Sequence, residues 1–156
     1  MDAAIINPFL NAAIGVFENM FGISPQPGAP YLMEGEINHR WDTSGVLGIT
    51  GDYHGLVGFR LSRILGDKML QKTGIKTESE SEREETVYGM VGELTNIISG
   101  NASSAIDHAS IDISPPLVIR GEHHQITWPK GIPVIAIPFA SPLGPFEVDV
   151  CMIKRK

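Results

Sequence analysis

The stretch "GVLGITGDYHGLVGFRLS" (residues 45–62) decides the fold. Its halves, "GVLGIT" and "LVGFRLS", are apolar runs with β character, and the glycine-flanked "GDYHG" between them is a turn, so the whole reads as a β-hairpin. Downstream, Ser62 can cap a short helix, "RILGDKMLQKTG", that stops at Gly74. Upstream, Phe9, Ala12, Ala13, Val16, Phe17 and Met20 recur at helical spacing. Pro8 suits the first turn of that helix with Asn7 as its N-cap, and "GISPQPGAP" ends it.

Further along, "KTESESEREE" reads as a solvated loop that starts another helix, Ser81 and Glu84 having the spacing of a capping box. This helix is long, running to about Ile106 or His108. "PPLVIRGE", "IPVIAIPF" and "FEVDVCMI" then alternate like strands between Pro/Gly turns. Helices and strands in this order, without regular βαβ alternation, predict an α+β domain over residues 1–156. It is a mainly antiparallel sheet with the long helix and two further helices packed on it.

Composition narrows the function. The 156 residues are 42% hydrophobic with a net charge of −6, and "KRK" at the end is the only Lys/Arg cluster. Nucleic acid and anionic membranes, which need a basic footprint, are therefore not expected partners. The apolar start of the chain has no basic n-region and is interrupted by polar residues and Pro8, so it reads as a core-packing helix in a cytoplasmic protein. Cys151, alone in an alternating apolar run, is a core residue.

The glycines at 45, 48, 51, 55 and 58 match neither a P-loop nor a dinucleotide fingerprint. His123 and His124 are neighbours and would point apart on a strand, which suggests exposed loop positions. His39, His54 and His108 form no ligand pair, so no metal and no cofactor of the protein's own is expected. No nucleophile and base converge in the sequence, which disfavours a small-molecule hydrolase.

The long helix carries two distinct faces. Val87, Val91, Leu94, Ile98, Ala102 and Ala105 form one apolar stripe. Gly89, Glu93, Asn96, Gly100 and Ser103 step along the other side, with Gly92 beside them. Each glycine costs a helix on the order of 1 kcal/mol relative to alanine, so this depletion needs a cause. Either the glycines pack closely on a neighbouring element, or they clear a surface from which Glu93 and Asn96 reach a partner. A carboxylate there can pair with a cation, and a carboxamide can orient water by donating and accepting hydrogen bonds together.

At these residues the chain resembles a known family. "GELTNIISGNA" is similar to the ExxN signature of the CheC/CheX/FliY chemotaxis phosphatases, most of all those of the CheX type. The resemblance spans most of the chain: first helix, hairpin "WDTSGVLGITGDYHGLVGFRLS", second helix, ExxN helix and a "SPP" turn into the last strands. It implies dephosphorylation of a phosphorylated CheY-type response regulator, whose own pocket holds Mg2+. Asn96 would position the attacking water and Glu93 would pair with the regulator's lysine. Gly89, Gly92, Gly100 and Ser103 would form the docking surface around them. Gly89 stands where the family often has Asp or Ser. Glu18 is followed at i+3 by Phe21, so the second ExxN of CheC-like members is absent. The CheX type also implies a homodimer through sheet edges, and the apolar "GIPVIAIPF" is the expected edge. The alternative is a non-catalytic adaptor of the same fold, resembling a flagellar-switch component.

Overall fold

The computed structural model describes residues 3–34 and 40–156; His39 lies outside them. Helix α1 (Ala3–Phe21) is followed by two short strands, β1 (Gln26–Pro27) and β2 (Tyr31–Leu32). The hairpin β3 (Thr43–Gly51) and β4 (Tyr53–Leu61) leads into α2 (Arg63–Thr73) and α3 (Glu80–Ser104). Strands β5 (Ile111–Ile113), β6 (Leu117–Arg120), β7 (Ile135–Ala140) and β8 (Phe146–Lys154) complete the chain. The eight strands form one antiparallel sheet in the order β1-β7-β8-β4-β3-β5, with β2 also on β7 and β6 also on β3. This is the expected α+β architecture, its hairpin lying at the centre of the sheet.

The turn of the hairpin is tighter than "GDYHG" suggested. Ile49 already pairs with Gly55, and Gly51 takes φ 101° where only glycine fits easily. Strand β8 pairs with β4 over nine registered positions, Tyr53–Lys154 to Leu61–Phe146. Alternation then sends Val57, Phe59, Leu61, Phe146, Val148 and Val150 into the core beneath the helices. Phe146 stacks between Phe17 of α1 and Phe139 of β7, with ring centroids 4.2 and 4.7 Å away.

Helix α1 starts earlier than its proline predicted. Pro8 lies inside it, so Asn7 is not the N-cap. Ile5 and Ile6 are buried, and their burial carries the helix back past the proline. Met20 is exposed, and Phe21 is buried instead. Helix α2 matches expectation at both ends: Ser62 Oγ accepts from the Leu65 N–H, and Gly74 closes it in the left-handed conformation. Helix α3 is capped two residues before Ser81, with Ser79 Oγ accepting from the Glu82 N–H. Its far end is Ser104, and Ala105, expected in the apolar stripe, is the exposed C-cap.

The opposite face of the sheet is polar and still buried. Ser44, Arg60, Glu147 and Asp149 project there beneath the loops, each no more than 4% exposed. Ser44 Oγ lies 2.7 Å from His124 Nε2, and Arg60 Nε donates to the same oxygen at 3.1 Å. His124 Nδ1 is 2.8 Å from the Gly121 carbonyl, which can only accept, so Nδ1 carries a proton and the neutral ring accepts from Ser44 through Nε2. His124 is thus part of this network, contrary to its expected place in an exposed loop. Tyr31 donates to Glu147, and burial together with that carboxyl holds the phenol's pKa above its ordinary value. Cys151 is buried as expected, and burial raises its thiol pKa.

Strand β7, the expected edge, is interior. It pairs with β8 on one side and with β1 and β2 on the other. No helix among the described residues is long and apolar enough to cross a membrane.

Candidate functional site on helix α3

Helix α3 lies across the β3–β6 side of the sheet, and glycines set how closely it sits. A methyl on Gly45 of β3 would collide with Thr95 Oγ1, so that strand admits the helix only without a side chain there. Thr95 is buried, its hydroxyl donating to the Val91 carbonyl at 2.7 Å. Val87, Val91, Leu94, Ile98 and Ala102 enter the core as predicted.

One row of α3, positions 84, 88, 92, 96 and 100, runs alongside residues 120 back to 113. Glu84 pairs with Arg120 at 3.2 Å. The Tyr88 hydroxyl donates to the Val118 carbonyl. A methyl on Gly92 would stand 3.4 Å from Val118 Cγ2 and 3.7 Å from Pro116 Cγ, and one on Gly100 would stand 3.8 Å from Ile113 Cδ1. Asn96 therefore sits between two glycine contacts and beside the Ser114-Pro115-Pro116 turn. That turn is pinned to β3, since Ser114 Oγ accepts from the Gly48 N–H at 2.7 Å and its own N–H donates to Gly48 O at 2.9 Å.

The structure brings Glu93 and Asn96 together, one helical turn apart on the outward side. Glu93 is exposed and Asn96 half-buried. Among the described residues neither has a hydrogen-bonding or ionic partner in the chain. Both polar groups are consequently available to an incoming molecule.

The glycines divide between the two readings. Gly89 is exposed with open space around it, as clearance requires. Gly92 is buried against Pro116 and Val118, so it is a packing glycine and not docking surface. Ser103 is likewise buried, because it lies about 80° round the helix from Glu93, towards the sheet. Gly100 is half-buried.

Tyr88, Arg120 and the anchored Ser-Pro-Pro turn were not expected at the site. The four-residue step 84–88–92–96 was available in the sequence, but which strand runs beside it was not. Among the described residues no group of three His, Cys, Asp or Glu side chains is arranged to hold a metal ion.

Residues 43–140 match the protein family described as chemotaxis phosphatase CheX. No protein with a curated description matches. Several solved structures are similar over almost their whole length. A CheC-like superfamily protein from Shewanella sp. PV-4 is 28% identical, with TM-score 0.87, covering 98% of this chain and 99% of its own. The chemotaxis protein CheX from Desulfovibrio desulfuricans is 31% identical, with TM-score 0.82, covering 97% and 99%. The CheX of the CheX–CheY–BeF3–Mg2+ complex from Borrelia burgdorferi is 25% identical, with TM-score 0.80, covering 96% and 98%.

Proposed function

The chain belongs to the CheX family of chemotaxis phosphatases, and from that premise we propose that it hydrolyses the aspartyl phosphate of a CheY-type response regulator. One observation carries the proposal to particular residues. Glu93 and Asn96 stand together on the outward side of α3, without partners of their own, on a helix held tightly to the sheet.

Phosphoryl transfer asks chiefly for positioning and for stabilisation of charge. Asn96 orients a water in line with the phosphorus–oxygen bond. The water oxygen bonds to phosphorus as the bond to the regulator's aspartate breaks; the carboxylate leaves, and the water's proton goes to phosphate or solvent. Glu93 pairs with a lysine of the regulator, which fixes the approach. The regulator's own Mg2+ neutralises the developing charge, so this chain contributes no metal or cofactor. The Borrelia burgdorferi relative, solved with CheY, BeF3 and Mg2+, supports a partner of this kind.

The test is phosphate loss from a phosphorylated regulator in Mg2+. Asn96→Ala should slow it roughly 10²-fold or more, as for the loss of one preorganised polar group. Regulator binding without faster phosphate loss would instead make the chain an adaptor.

In this reading the protein acts in the cytoplasm as a homodimer joined through sheet edges. The edges available are β5–β6 and β1–β2. Sedimentation should give twice the chain mass, and a single-chain mass at micromolar concentration would rule the dimer out.

A further inference from the structure

We propose that the acidic groove beside Tyr88, on the N-terminal half of α3, selects among response regulators by receiving a basic docking face. The inference rests on the proposed phosphatase reading and adds to it what distinguishes one regulator from another.

The groove lies on the same helix as the candidate site, towards its N-terminal end. A cavity of about 510 Å³ between α3 and β6 is lined by Ser81, Glu84, Glu85, Tyr88 and Arg120. A second, of about 350 Å³, shares Glu84 and Arg120 and extends to Asp42, Arg63 and Glu122. Tyr88 precedes Asn96 by two helical turns in the same row, about 12 Å along the axis. A partner of ordinary interface size, covering about 800 Å² on each side, reaches both when seated over Asn96.

The charges identify the partner. Arg63, Arg83 and Arg120 are each committed to carboxylates: Arg63 to Glu80, Arg83 to Glu80 and Asp67, and Arg120 to Glu84. Glu85, Glu93 and Glu122 have no cation among the described residues. The surface from Glu122 past Tyr88 to Glu93 therefore carries surplus negative charge. It repels acidic surfaces and attracts lysine and arginine, most strongly within a Debye length of about 8 Å.

Tyr88 supplies the contact that charge alone lacks. Its hydroxyl is tied to Val118 O, and the Arg120 guanidinium lies 5.5 Å from its ring centroid, so the ring is already ordered. It remains 36% exposed. A fixed, exposed aromatic ring loses little entropy on binding and is the residue type most often found as an interface anchor.

The experiment compares kcat and KM for phosphorylated regulators whose docking faces differ in charge. Tyr88→Ala should raise KM roughly tenfold and leave kcat within about twofold, as for loss of an interface anchor. Glu85→Lys, an exposed position without an internal partner, should raise KM for basic-faced regulators and flatten its dependence on salt. Glu18→Lys, exposed on α1, is the control and should change neither. Unchanged KM in both groove variants, or equal loss for every regulator, overturns the inference. Should the wild-type chain show no phosphatase activity, titration calorimetry with beryllofluoride-treated regulator reads the groove directly. Weaker binding by Tyr88→Ala and Glu85→Lys then upholds selection while the catalytic reading fails, and no binding by the wild type overturns both.

Discussion

Gly89, Gly92 and Gly100 look alike in the sequence, yet each answers to different surroundings. A methyl on Gly92 would meet Val118 and Pro116 at ordinary packing distance, and one on Gly100 would meet Ile113 in the same way. Only Gly89 has open space where a side chain would be. Gly89→Ala should therefore stabilise the fold by about 0.5–1 kcal/mol, since nothing obstructs the methyl and helical glycine is costly. If the position is clearance for a regulator, the same variant should raise KM. A higher melting temperature with unchanged kinetics would show that the bare surface there serves no docking. The helical wheel was enough to put Glu93 beside Asn96 and to separate them from Leu94 and Ile98. It does not say how far round the helix the sheet reaches, and Ser103 accordingly lies buried and not on the outward surface. Nor could it find Tyr88 a partner, because the contact with Val118 joins residues thirty positions apart.

At the scale of elements, what repeats was legible and what is short or borrowed was not. The hairpin, α2 and the apolar stripe of α3 follow from periods of 2 and 3.6 with caps at the ends. Strands β1, β2 and β5 have two or three residues each, too few to show any period, and exist because β7 and β3 lend them a ladder. Asn7-Pro8 is a sound helix start locally, but burial of Ile5 and Ile6 overrides it. Proline near the start leaves only the carbonyl of exposed Ala4 without its helical bond, which water can satisfy. The apolar residues of β7 misled in the opposite sense. They looked like an edge needing cover, and β1 and β2 already cover it. Glu147 and Asp149 share one side of β8, and the alternation in "FEVDVCMI" carries no information about the loops that bury them.

The molecule as a whole has one face of its sheet packed with hydrocarbon and the other with a buried polar layer, and this shapes its response to pH. Asp149 is fully buried; burial first, and the neighbouring Glu147 second, push its pKa well above the ordinary carboxylate value. The nearest nitrogen of Arg60, 3.7 Å away, does not offset this. Because the folded-state pKa is the higher one, the folded protein holds a proton that the unfolded chain releases. Asp149 therefore contributes stability below the ordinary carboxylate pKa that is lost as pH rises through its raised value. Melting temperature should fall as pH is raised above the ordinary carboxylate range, and Asp149→Asn should flatten the slope. An unchanged slope in the variant would assign the effect to other groups.

The sheet's margins have a consequence of another kind. Each margin is broken into two pieces, β1 with β2 and β5 with β6, of no more than four residues. Strand-by-strand fibril growth favours uninterrupted segments of about six or seven residues. Among the described residues neither margin offers one, so neither is a ready template for strand-by-strand growth.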